Sequence, residues 1–176
     1  MTLKLTIFGM AAATAGFAFL LGGCAGYEYT LNERLLLKTH QLFADYEIPD
    51  EGLRECITQA IADQRIVRAE ELEDLICTHD AITRLDGLET FSGLRRLGLD
   101  DNAITDLAPL RALPALELLQ LRGNRLQALD AALCQGTAKK IAIAGNESLD
   151  CETIENLRAC GTTFIDIPDH CASSTR

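Results

Sequence analysis

Between Leu72 and Leu157 the chain repeats every 22 residues, and few folds accommodate so strict a period. Stacked on that period, one column reads Leu72, Leu94, Leu116, Ala138 and the next Leu75, Leu97, Leu119, Ile141. Then come Cys77, Leu99, Leu121, Ile143, and three positions on Asp80, Asn102, Asn124, Asn146. Ile82, Ile104, Leu126 and then Leu85, Leu107, Leu129, Cys151 complete the unit. A fixed period of about 20 to 29 residues carrying this pattern signals a solenoid.

The column types follow from simple physics. Apolar residues at alternating positions make a short strand with one apolar face. A single turn cannot bury that face, so neighbouring turns stack and share a core. Asparagine suits the exit from the strand because its amide both donates to and accepts from backbone groups. Orphaning such groups costs about 1–3 kcal/mol each. Asn102, Asn124 and Asn146 are therefore expected to form a ladder that closes the bend.

These columns, with the stretch NAITDLAPLRAL, resemble bacterial internalin-type leucine-rich repeats over about half the chain. The resemblance implies an α/β fold: a short solenoid with parallel strands on its concave face, an N-terminal helical cap and disulfide-stabilised ends. It also implies that the concave face binds another protein. The chain departs from the pattern at Asp80 in the first turn and at Ala138 and Ser148 in the fourth. Terminal repeats are expected to deviate, since they face solvent or a cap.

The N-terminus is a targeting segment. Lys4 supplies positive charge, an apolar stretch runs from Leu5 to Leu21, and Leu21-Gly22-Gly23-Cys24 closes it. That ending resembles a bacterial lipobox, which implies removal of residues 1–23 and lipidation of Cys24. A transmembrane helix is the alternative, because the run approaches the roughly 18 residues that suffice to span a membrane. Lipoproteins of this type carry three acyl chains, and Ala25 in place of Asp implies passage to the outer membrane. The lipobox resemblance therefore implies a lipid-anchored protein of the bacterial outer membrane, facing the periplasm or the surface. Residues 1–23 hold one lysine and no acid, so the mature chain would carry 15 basic and 26 acidic residues, a net charge of −11. Nucleic acid is excluded as a partner, since it demands a basic footprint.

Seven cysteines leave six after Cys24, and an even number in an exported chain reads as disulfides. Six can pair in roughly 15 ways, among which sequence alone does not choose. The repeat register favours Cys56–Cys77, because Cys77 holds an inward strand position against which the helix carrying Cys56 must pack. Cys151 and Cys171 fall at similar places in successive turns, leaving Cys134 with Cys160. Cys77-x-His79 and His170-Cys171 lack the paired spacing of a zinc site, so no metal is expected.

Residues 24–29 form a tether. In 30–49, Thr30 and Glu33 fit a capping box ahead of a helical stripe of Leu31, Leu35, Leu36, Leu42 and Phe43, which predicts a helix. It would either fold on the cap or adapt the lipid to the solenoid. Residues 50–71 hold the cap helix, with Asp50 as N-cap and Leu53, Cys56, Ile57, Ala60 and Ile61 at helical spacing. Repeats fill 72–171, with Thr163-Phe164-Ile165 aligned to Leu119-Gln120-Leu121 as a degenerate fifth strand, and 172–176 is a tail.

No catalytic constellation stands out. The three histidines sit in unlike settings, and there is no nucleophile elbow, phosphate loop or H-E-x-x-H. Neither an enzyme nor a cofactor is expected. Function then falls to the outward strand positions, above all Ile76, Arg96, Asp100, Leu118, Gln120, Arg122 and Lys140. They bring three cations and two apolar residues together in an acidic chain, which suits a protein or peptide ligand. A structural envelope component that braces peptidoglycan or polysaccharide is the other reading.

Overall fold

The computed structural model describes residues 41–130, 133 and 138–172, together with the backbone of two short strands near the N-terminus. Those strands, β1 (Thr30–Leu31) and β2 (Arg34–Leu35), pair antiparallel in a separate unit that ends at Thr39. The targeting segment and Cys24 lie outside the described residues. Among the described residues no helix is long and apolar enough to cross a membrane.

The helix expected over 30–49 is not found among its described residues: 30–31 and 34–35 are strand, and 41–49 run without helix. Tertiary contacts outweigh the helical stripe here. The Phe43 N–H donates to Ile66 O at 2.9 Å, and the rings of Phe43 and Tyr46 pack on Phe91 with centroids 6.0 and 5.6 Å away. Ile48 is buried just ahead of Pro49, which itself disfavours helix at the residue before it. An extended course is what carries these three side chains across the end of the core.

Helix α1 (Glu51–Gln64) then forms where its pattern places it. The Asp50 carboxylate accepts from Leu53 N–H at 3.1 Å, and Arg65, in the left-handed conformation, ends the helix. Its buried stripe is Leu53, Ile57 and Ile61, spaced four apart. Gly52 is obligatory for the docking, because a Cβ there would lie 2.0 Å from the Asp80 carbonyl oxygen.

Five parallel strands follow in chain order: β3 (Asp74–Ile76), β4 (Arg96–Gly98), β5 (Leu118–Gln120), β6 (Lys140–Ala142) and β7 (Thr163–Asp166). Leu75, Leu97, Leu119 and Ile141 are register partners, so three successive steps each span one 22-residue period. Short 3-10 turns at Ala69–Glu71, Leu88–Thr90 and Ala108–Ala112 precede β3, β4 and β5. The final step breaks the period: Phe164, not Thr163, pairs with Ile141, and a bulge leaves Ala142 opposite Asp166. The simple alignment of 163–165 is thereby corrected by one residue. Helix α2 (Cys151–Ala159), with Asp150 as N-cap, replaces the compact turn of earlier repeats and shifts the following strand. Helix α3 (Asp169–Ala172) ends the described chain.

The core is the set of columns read from the sequence; Leu72, Leu75, Leu94, Leu97, Leu116, Leu119 and Ile141 are all buried, as is Phe91. The asparagines form the expected ladder, with a direction. Asn102 donates to Cys77 O at 2.8 Å and accepts from Asp80 and Ile82 N–H, all in the turn before its own. Asn124 serves Leu99 O and Ile104 N–H, and Asn146 serves Leu121 O and Leu126 N–H, at 2.9–3.1 Å. Each asparagine thus closes the preceding bend. The first turn has no predecessor within the repeats, which explains why Asp80 stands where the others carry asparagine.

Candidate binding face and the cleft beside it

Register places the outward residues in rows across the sheet. One row runs Asp74, Arg96, Leu118, Lys140; the next runs Ile76, Gly98, Gln120, Ala142. The seven residues singled out from sequence are therefore brought onto one side of the sheet or its margin. Their exposure differs. Ile76 is 70% exposed, Arg96 and Lys140 are exposed, and Asp100, Leu118, Gln120 and Arg122 are half-buried. Gly98 and Ala142 are buried, so the middle row is shallow and Ile76 and Gln120 lean towards each other over Gly98.

The cations are not a free basic patch. Arg96 is paired with Asp74 in the neighbouring strand. Arg122 lies between two carboxylates, its Nη1 3.0 Å from Asp100 and its Nε 2.6 Å from Asp166. Those bonds to Asp166 and then Asp100 raise the Arg122 pKa against the opposing effect of burial. Burial pushes the Asp166 carboxyl up, but N–H donation from Ala144, the Arg122 guanidinium and Ile143 N–H outweigh it and hold the pKa below 3.8. Asp100 accepts from Arg122 N–H at 2.8 Å in the same manner. Of the three cations, Lys140 alone has no ion pair among the described residues. In sequence, positions 100, 122, 144 and 166 are one period apart, although the bulge sets Asp166 opposite Ala142; opposite charges one or two periods apart were the available signal.

A second feature escaped the sequence reading. His79, Asp101, Gly123 and Gly145 occupy one column, and all have positive φ, at 64°, 57°, 61° and 75°. Asp101 Oδ1 would lie 2.4 Å from a Cβ on Gly123, so the side chain of one turn roofs the glycine of the next. His79 Nε2 and Asp101 Oδ2 are 3.2 Å apart on the surface.

Beside β3 lies a cleft of about 620 Å³ lined by Glu55, Gln59 and Asp63 of α1 and by Asp74, Ile76 and Asp80. Two disulfides brace the ends of the sheet, Cys56–Cys77 and Cys151–Cys171, both among the pairs the register favoured. Cys160 is also disulfide-bonded, whereas Cys134 lies outside the described residues. Cys56 and Cys77 lie near Asp80, and Cys151 and Cys171 near His170; with the sulfurs already bonded to each other, neither group is a metal site.

Period, in-order parallel sheet and asparagine ladder together define a leucine-rich repeat fold. Among solved structures, the chain is similar to an internalin (inlF) of Listeria monocytogenes at 20% identity and a TM-score of 0.52, over 66% of this chain and 42% of that one. It is also similar to internalin C2 of the same organism at 23% identity, with a TM-score of 0.48, over 62% of this chain and 58% of that one. The chain thus spans only about half the length of these proteins, and at such identities the likeness with internalin F bears on fold alone. No family profile and no curated protein matches the chain.

Proposed function

We propose that this protein is a non-enzymatic, lipid-anchored module of the bacterial cell envelope, in which α1 caps a leucine-rich repeat solenoid whose concave face binds a protein. The observation that carries the reading is the ordered outward side of the sheet. Arg122 is held between Asp100 and Asp166, and Arg96 by Asp74, so the polar groups are fixed before a partner arrives. Fixed polar groups beside an apolar side chain lower the ordering cost of association, and Ile76 supplies that side chain. The internalin-like fold supports the same class of function. Cys24 provides the anchor, and the outer membrane is the location the lipobox implies.

The test is a photo-crosslinking residue placed at Gln120 in the native cell, with Gln127 on an exposed loop as control. A single defined protein adduct from Gln120 and none from Gln127 is expected; adducts with peptidoglycan alone would favour the bracing role. In parallel, Cys24→Ser should abolish palmitate labelling, and a variant that still labels removes the anchor from the reading.

A further inference from the structure

We propose that the cleft between α1 and β3 receives an extended, cationic segment of the partner, with Lys or Arg flanking one apolar side chain. This rests on the protein-binding reading above and specifies the chemistry of the ligand at one margin of the face.

Charge is the first argument. Ten residues line the cleft, four of them acidic and none basic. Asp74 is neutralised by Arg96, but Glu55, Asp63 and Asp80 have no cation beside them among the described residues. Carboxylates grouped in a concave surface focus their field on a cation, which steers it inward and orients it.

The second argument is apolar and independent of charge. Ile76 is the most exposed large hydrophobic side chain among the described residues, and it stands within this acidic lining. An apolar anchor ringed by polar groups is the usual plan of a recognition hot spot.

Backbone direction supplies the third. β3 is the first strand of the sheet, and Cys77 and His79 turn their N–H groups to Gly98 O and Asp100 O of the β4 side. Strand alternation turns the N–H groups of Ile76 and Thr78 the other way, towards the cleft. Along that margin Gln64 of α1 donates to Asp74 O at 3.0 Å and Cys56 Sγ lies 3.3 Å from Ile76 O, so α1 covers the carbonyls as far as Ile76 and an extended chain would pair from Thr78 onward. Because Asp74 and Ile76 belong to both cleft and sheet face, a partner on the face reaches the cleft without a break.

The experiment titrates the full-length protein into a fluorescently labelled, end-blocked Arg-Val-Arg-Val-Arg peptide and reads anisotropy, with Glu-Val-Glu-Val-Glu as the reversed probe. Saturable binding of the cationic peptide alone is expected. It should weaken about tenfold with Glu55→Lys/Asp63→Lys and with Ile76→Ser, and stay unchanged with Glu152→Lys/Glu155→Lys at the far end. Equal weakening by the distal pair would reduce the effect to net charge and overturn the proposal, as would indifference to Ile76→Ser. A Gln120 crosslink that survives the cleft variants while the peptide fails to bind sinks this inference and leaves the face reading standing. Peptide binding without any Gln120 crosslink does the reverse.

Discussion

The two ends of the sheet are fastened by loops of nearly equal size and are otherwise built differently. Cys56–Cys77 spans 21 residues and Cys151–Cys171 spans 20. At the first end the crosslink holds a 14-residue helix that lays Leu53, Ile57 and Ile61 on the core, and Asp50 reaches past it to Thr83 and Arg84 N–H at 2.9 and 3.2 Å. At the other end it holds a four-residue helix, His170 meets Leu149 O at 2.9 Å, and the last strand bulges with Ile165 51% exposed. A stack of repeats must be closed twice, but the two closures have different work. The first adds Leu53, Ile57 and Ile61 to the core; the last supplies hydrogen bonds to a bend that no following asparagine serves, and Asp166 does so by accepting from Ile143 and Ala144 N–H.

The largest expected effect separates covering from crosslinking. Loop-closure entropy is nearly the same for both bridges, about 3 kcal/mol in the chain-entropy model. Cys56→Ala/Cys77→Ala should cost about 2–5 kcal/mol and exceed Cys151→Ala/Cys171→Ala by at least about 1 kcal/mol, because α1 loosens from apolar side chains. Urea unfolding measures both, and hydrophobic-dye binding should rise in the first double variant more than in the second. Equal losses and equal dye signals would mean that α1 shields nothing.

Next in size is the contrast within the asparagine column. Asn124→Ala should cost about 1–3 kcal/mol by orphaning Ile104 N–H and removing one of the two amide donors to Leu99 O. Asp80→Ala, at the equivalent place in the first turn, should stay within about 0.5 kcal/mol, the usual surface value. Similar costs at both positions in thermal unfolding would contradict a ladder that reaches only backwards.

The smallest effect is a pH dependence shared by the ends. Burial raises the Asp50 pKa, but donation from Thr83, Leu53 and Arg84 N–H and the Thr83 hydroxyl outweighs it, so the carboxyl lies below 3.8, as does Asp166. With folded values depressed, both contributions are fully present once pH is above the ordinary carboxylate range and fade as pH falls through the lowered values. Asp50→Asn and Asp166→Asn should each flatten the acid-side fall of the melting temperature. An unchanged profile in both would remove these carboxylates as the cause.

Where the chain keeps to its period, structure is legible from residues alone. The strand columns, the asparagine ladder and the Cys56–Cys77 and Cys151–Cys171 pairs follow from register, and α1 from its helical spacing and N-cap. What was hidden depends on distant or off-period partners. Nothing near Phe43 and Tyr46 announces that their neighbour is Phe91, so the segment reads as helix until the core is assembled. The last turn holds one residue more than the period before Thr163, and β7 adds a second at the bulge between Phe164 and Asp166, so neither shows in the columns. On the candidate face, cations were visible but their engagement was not, although Asp74–Arg96, Arg95–Glu117 and Asp100–Arg122 are all one period apart. Pairing charges by period as well as apolar residues would have found them.

Because every asparagine reaches back one turn, assembly has an arrow in time. A chain emerging from its N-terminus first can stack a new turn on the last, yet one N–H of the newest bend stays without its acceptor until the next amide arrives, 20 residues on. Growth therefore lags synthesis by one repeat throughout. The fourth bend waits for Asp166, which comes after the whole of α2, so the molecule is finished from its far end and a chain cut short before that residue keeps one turn ajar.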